Sequence, residues 1–183
     1  EAHSNLGLTL QELGRLDDAE ASYREAIAKK PDFAEPHYNL GNTLRAVGRL
    51  NEAEASYGKA TALKPDYVEA HNNLGVTLKE LGRFDKAEAS LRQAIALKPG
   101  FDDAHNNLGV TLKELGRLDD AEASHRQAIA LKPDFADAHS NLGVTLQELG
   151  RLDKAEASHR QAITLKPDFA EAHANLGNTL KEL

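Results

Sequence analysis

Residues 3–14 read His3-Ser4-Asn5-Leu6-Gly7-Leu8-Thr9-Leu10-Gln11-Glu12-Leu13-Gly14, and the chain returns to this phrase every 34 residues. The triplet Asn-Leu-Gly marks each return, at Asn5-Leu6-Gly7, Asn39-Leu40-Gly41, Asn73-Leu74-Gly75, Asn107-Leu108-Gly109, Asn141-Leu142-Gly143 and Asn175-Leu176-Gly177. A fixed period of this length signals stacked supersecondary units in place of one globular core. Such a stack has few ways to enclose a catalytic cleft, but it repeats one surface many times. Segments 70–83 and 104–117 are identical residue for residue, which duplication and consensus engineering both produce.

Within each period the pattern predicts helix, turn, helix. His3, Leu6, Gly7 and Leu10 fall at i, i+3, i+4 and i+7, one face of a helix. Gly14 ends that helix, as glycine does in a left-handed terminal position, and Gly48, Gly82, Gly116 and Gly150 repeat the signal. The second helix carries an inward stripe of Ala19, Tyr23, Ala26 and Ile27. An acid or amide followed three residues later by Glu predicts a capping box at Asp17…Glu20, Asn51…Glu54, Asp85…Glu88, Asp119…Glu122 and Asp153…Glu156. Lys-Pro stops the helix at Lys30-Pro31 and its four equivalents, because proline disfavours helix in the residue before it. A further cap is expected at Asp32…Glu35, Asp66…Glu69, Asp134…Asp137 and Asp168…Glu171. In the fourth unit Gly100 takes that place, so its first helix is expected to fray.

Composition suits a soluble binding scaffold. Among 183 residues, 40% are hydrophobic yet only 5% aromatic, with no Trp, Met or Cys. Thin layers packed with Ala and Leu fit this better than one large mixed core. No run of about 18 apolar residues is present to span a membrane. Without Cys there is no disulfide; a soluble, cytoplasmic chain is expected. The net charge of −7 argues against a nucleic-acid partner, which calls for a basic face. The chain begins inside a repeat and reads as a piece of a longer array.

These residues resemble the tetratricopeptide repeat, whose pattern is carried by Leu6-Gly7, Ala19, Tyr23, Ala26 and Pro31 and their equivalents along the whole chain. The first aromatic place of that pattern is His here in every unit, from His3 to His173. The second is Leu, and the third is Tyr23, Tyr57, Leu91, His125 and His159. The phrase Ala-His-x-Asn-Leu-Gly also resembles the repeat arm of O-linked N-acetylglucosamine transferases and many bacterial repeat proteins. The resemblance implies an all-α, right-handed superhelical solenoid, with units at 1–33, 34–67, 68–101, 102–135 and 136–169. Residues 170–183 form the first helix of a sixth unit and act as a cap.

The resemblance also implies that first helices line a concave wall. Helical angles place three ladders there. One is Asn throughout: Asn5, Asn39, Asn73, Asn107, Asn141 and Asn175. One is acidic: Glu1, Glu35, Glu69, Asp103, Asp137 and Glu171. One is mixed: Leu8, Asn42, Val76, Val110, Val144 and Asn178. Asn offers a donor and an acceptor, the complement of a peptide group, and in the transferase arm an asparagine ladder holds peptide backbones. The competing reading is that Asn helps neighbouring helices pack. Exposed valines suggest a partner, with part burial between helices as the alternative. The acidic ladder would repel a terminal carboxylate, which argues against a carboxylate clamp.

Facing Gly7 against Ala19 places His3 near Tyr23, His105 near His125 and His139 near His159. Two imidazoles fall short of the ligand set of a zinc site, so packed histidines without metal are expected. No nucleophile with base and acid is visible, no cofactor is implied, and no catalytic residue is assigned. The expected function is a non-catalytic scaffold that binds extended peptides along the asparagine-lined groove. Two other readings stay open on the sequence: the substrate-recruiting arm of a larger glycosyltransferase-like enzyme, and a scaffold that self-associates end to end through 170–183.

Overall fold

The structure is a computed structural model that describes residues 2–183. Among them are eleven α-helices in two compact units. The first unit, ending at Leu97, holds α1 (Ala2–Glu12), α2 (Leu16–Lys29), α3 (Ala34–Ala46), α4 (Leu50–Leu63), α5 (Val68–Glu80) and α6 (Phe84–Leu97). The second, Lys98–Leu183, holds α7 (Asp102–Glu114), α8 (Leu118–Leu131), α9 (Ala136–Glu148), α10 (Leu152–Leu165) and α11 (Ala170–Glu182). Each helix packs on the next one in sequence within its unit. The backbones of odd-numbered helices also approach one another, α1 with α3, α3 with α5, α7 with α9 and α9 with α11, whereas even-numbered helices stay further apart and meet only through long side chains such as Arg24 and Glu52. Each unit is therefore tighter along its first helices and more open along its second helices.

Glycine turns join the two helices of a layer. Gly48 has φ 77°, a conformation that costs an L side chain but not glycine. It lets the Arg49 N–H reach back to the Leu44 carbonyl at 2.9 Å and the Gly48 N–H reach the Arg45 carbonyl at 3.0 Å. That closure satisfies carbonyls the helix end leaves unpaired. Gly14, Gly82, Gly116 and Gly150 do the same. Between layers, Lys30 leaves the helix with φ −144°, as its following proline requires. The Lys30 ammonium lies 4.8 Å from the Phe33 ring centre, and Lys64–Tyr67, Lys98–Phe101, Lys132–Phe135 and Lys166–Phe169 repeat the contact.

The helix starts differ from the expected caps. Arg15, Arg49, Arg117 and Arg151 hold the N-cap positions and make no side-chain cap. The glycine turn closes so quickly that the helix begins one residue before the acid, which then sits in the first turn. There the acids meet the helix dipole and the arginine instead: Arg15 donates to Asp18 at 2.8 Å and Arg49 to Glu52 at 2.7 Å. The first helices likewise start after Phe33, Tyr67, Phe101, Phe135 and Phe169. Gly100 lies outside the cap, and α7 is as long, 13 residues, as α5 and α9.

Register within a layer is set by size. In the five complete layers the first-helix glycine faces the largest fully buried side chain of the second helix, one turn beyond the alanine expected from the pattern. A Cβ on Gly41 would stand 2.7 Å from the Tyr57 ring, and one on Gly75 would stand 2.6 Å from Leu91 Cγ. Gly7 faces Tyr23, Gly109 faces His125 and Gly143 faces His159. Those five partners are fully buried, flanked by Ala19, Ala53, Ala87, Ala121 and Ala155. On α11 the equivalent Gly177 faces open space. Gly75→Ala should therefore lower stability by about 1–3 kcal/mol through overpacking, since the Ala87 carbonyl 3.2 Å away cannot yield. Gly177→Ala should raise it by up to about 1 kcal/mol. Urea midpoints of the two variants check this; equal shifts would refute it.

Candidate functional site

The surface that the sequence singles out lies on the first helices, and the structure gives its side chains specific partners. In the first unit, Asn73 donates through Nδ2 to Asn42 Oδ1 at 3.0 Å and to Tyr38 Oη at 3.2 Å. Its Oδ1 accepts from Asn72 Nδ2 at 3.2 Å. Asn42 Oδ1 also accepts the Tyr57 hydroxyl at 2.7 Å. One polar junction thus ties α3, α4 and α5 together. In the second unit Asn141 donates to Asn106 Oδ1 at 3.1 Å, and His125 Nδ1 donates to the same oxygen at 3.1 Å. The same device ties α7, α8 and α9.

These bonds give Asn73 and Asn141 partners on the neighbouring first helix, as the competing, packing reading of the asparagine ladder expects. Both amide hydrogens of Asn73 are engaged, and an amide has only two to give. Of the other ladder members, Asn5 is exposed, while Asn39, Asn107 and Asn175 are half-buried. Val76, Val110 and Val144 are half-buried as well. Glu69 and Asp103 stand exposed, and Glu1 lies outside the described residues. Partial desolvation, with Asp102 and Asp137 nearby, still lifts the Asp103 carboxyl above its ordinary range. Asp103 and Asp137 therefore share one acidic strip.

Several groups on this face escape the pattern of single ladders. Tyr38 packs on Tyr67 at 4.8 Å and on Tyr57 at 5.9 Å between ring centres. Arg45 forms a two-pronged pair with Glu80, at 3.1 and 2.6 Å. A recess of about 340 Å³ opens beside that pair, with Asn42, Ala46 and Tyr57. Arg45–Glu80, Lys113–Glu148, Gln147–Glu182, Asn73–Tyr38 and Asn141–Asn106 all lie 35 residues apart. Pairing at the period plus one was the legible signal; reading ladders at the bare period conceals it.

The histidines do not pair. With the register one turn further on, His105 Nε2 lies 2.9 Å from the Pro99 carbonyl and His139 Nε2 lies 3.0 Å from that of Pro133. His125 and His159 are sealed inside their layers. His125 Nε2 and both ring nitrogens of His159 have no hydrogen-bond partner. Among the described residues no three His, Cys, Asp or Glu side chains gather as a metal site, and no helix is long and apolar enough to cross a membrane.

Comparison with known proteins places this geometry. The family model described as TPR repeat matches residues 7–48, 41–82 and 111–150. Models described as tetratricopeptide repeat match 68–101, 136–169 and 90–123. No curated protein shows a significant sequence match. Among solved structures, MamA is 27% identical over 90% of this chain and 96% of its own, at a TM-score of 0.81. YrrB, described as a TPR protein with an unusual peptide-binding site, is 26% identical over 99% and 91%, at 0.80. The thermophilic TPR protein TTC0263 of Thermus thermophilus is 28% identical over 98% of each chain, at 0.76.

Burial pushes the His125 imidazole down to about 4, helped by Lys113, and burial also lowers His159. The folded state then binds fewer protons than the unfolded state between the ordinary histidine range and about pH 4. Stability from these layers is present at neutral pH and is lost as pH falls through that window, by roughly 3 kcal/mol for His125. Layers α7–α10 should lose hydrogen-exchange protection on acidification before α1–α6, where Tyr23, Tyr57 and Leu91 fill the same place. His125→Leu with His159→Leu should flatten the response, since the third layer already accepts Leu91. Uniform acid sensitivity across the layers would refute it.

Proposed function

Because the chain belongs to the tetratricopeptide repeat family, we propose that it is a non-catalytic protein-interaction scaffold whose first-helix faces take extended peptide segments. The recess beside Tyr57, Asn42 and the Arg45–Glu80 pair carries this reading, because it gives the α3–α5 wall a preformed concavity bounded by polar groups of fixed position. Asn5, Asn39 and Asn175 supply amides to a peptide backbone, while Asn73 and Asn141 hold the wall in shape. Val76, Val110 and Val144 offer half-buried apolar rungs. Glu69 in the first unit and Asp103 in the second favour basic segments. The peptide-binding site named for YrrB is consistent with this use of the fold. The working layers are 1–33, 34–67, 68–101, 102–135 and 136–169, and the helix in 170–183 covers α10, on which it packs.

A second reading rests on α11. Leu180 and Leu183 are 47% and 57% exposed, and apolar stripes of this kind seek partners. Such a stripe supports end-to-end association between copies. Leu180→Glu should then reduce any concentration-dependent assembly seen in sedimentation; assembly of unchanged strength would dismiss this reading.

The groove reading is tested with a fluorescent, extended Lys/Ser peptide followed by anisotropy. Glu69→Lys and Asp103→Lys together should weaken binding on the order of tenfold, and the parent affinity should fall with added salt. The folded state should be untouched, since both side chains are exposed. Asn73→Ala should instead lower stability by about 1 kcal/mol through the lost junction. Charge reversal without effect on affinity would remove the groove from consideration.

A further inference from the structure

The second helices carry a repeated ion pair that is broken once. Arg24 donates to Glu20 at 2.9 Å, Arg92 to Glu88 at 2.9 Å, Arg126 to Glu122 at 3.0 Å and Arg160 to Glu156 at 2.8 Å, each through Nε one turn along the same helix. The equivalent place on α4 is Gly58, in the middle of a helix where glycine is unfavourable. Glu54 keeps the bond from Arg83 of the next layer to its Oε2. Its Oε1 lacks the arginine that its counterparts hold. The Glu54 side chain is 23% exposed, against 15% for Glu20, 16% for Glu88, 13% for Glu122 and 25% for Glu156 on α10.

The missing side chain leaves a groove. It has about 640 Å³ between α4 and α6, with Leu74 and Leu78 as its floor and Ala55, Gly58 and Ala89 on its walls. In the second unit the groove between α8 and α10 measures about 390 Å³, and Arg126 stands at its edge. A side chain added at Gly58 meets nothing within 4 Å. The space thus has the apolar floor that an arginine stem covers and, at its end, a carboxylate oxygen where four other layers hold a guanidinium.

We propose that the Gly58 notch is a docking site for an arginine side chain of a partner protein, received from outside where the other layers carry their own. The guanidinium pairs with Glu54 Oε1 in the two-pronged manner available to arginine and not to lysine. Lys86, on the facing wall, is exposed and stands where the first layer has Glu52 to receive Arg24. The partner's segment therefore carries an acidic residue beside its arginine. The site lies on the second-helix face and is independent of peptide binding along the first helices.

The test uses the whole chain, isotope-labelled, titrated with acetyl-Ala-Arg-Glu-Ala-amide while backbone amide shifts are followed. Saturable shifts are expected at Ala55, Gly58 and Ala89. They should vanish with the citrulline analogue, which keeps the shape without the charge, and with Glu54→Gln. Gly58→Arg should abolish them while raising the melting temperature, because it completes the pair the other layers have. Equal shifts from the citrulline peptide, shifts that survive Gly58→Arg, or none at millimolar peptide would overturn the proposal.

Discussion

Every complete layer depends on one steric fit: a glycine on the first helix meets the largest fully buried side chain of the second. Gly41 against Tyr57 and Gly75 against Leu91 bring the two backbones close enough for the flanking alanines to pack with no exposed surface. That fit fixes register, and register fixes everything beyond it. It aims Tyr57 and His125 at the asparagines of their own first helix. It turns His105 and His139 outward to the proline carbonyls. The occupant varies among Tyr, Leu and His, so the layers share geometry while differing in polarity. The tyrosine layers bury a hydroxyl with a partner, as Tyr23 donates to Gln11 at 3.1 Å. The fifth layer buries an imidazole with none.

The two faces of each unit are held by different forces. First helices are joined mainly by neutral amide and hydroxyl bonds around Asn42, Asn106 and Gln11, partly sheltered from water, with ion pairs such as Arg45–Glu80 added at their last turns. Second helices are joined through charged pairs such as Arg49 with Glu20, at 2.6 Å, across open solvent. Exposed pairs contribute little stability individually. Their regularity matters more, because a break in it, as at Gly58, is visible against four intact copies.

The period, the glycine turns and the Lys-Pro stops were legible because each rests on backbone conformation that few residues satisfy. Helix caps were not. Asp17 has the chemistry of a cap, but the turn at Gly14 closes on Arg15, and chemistry does not reveal where a turn ends. Register was ambiguous for a related reason: Ala19 and Tyr23 are one turn apart on the same stripe, so periodicity alone fits either against Gly7. The ladder of asparagines was found, but its partners sit on adjacent first helices at an offset of one beyond the period. A reading along one helix cannot see Tyr38 above Asn73 or Asn106 above Asn141. Arg45 and Glu80 were missed because each looks like a solvated charge until both are placed.

Within each unit, helices touch only their first or second neighbour in sequence. The chain never has to bring distant segments together before it gains a contact. Loop-closure entropy is small at every step, and domains with such low contact order fold in microseconds to milliseconds. Growth can begin at any Gly-centred pair and spread by adding one helix at a time. Damage follows the same rule in reverse: a weakened layer frays as a local opening, leaving its distant neighbours folded and their surfaces in service.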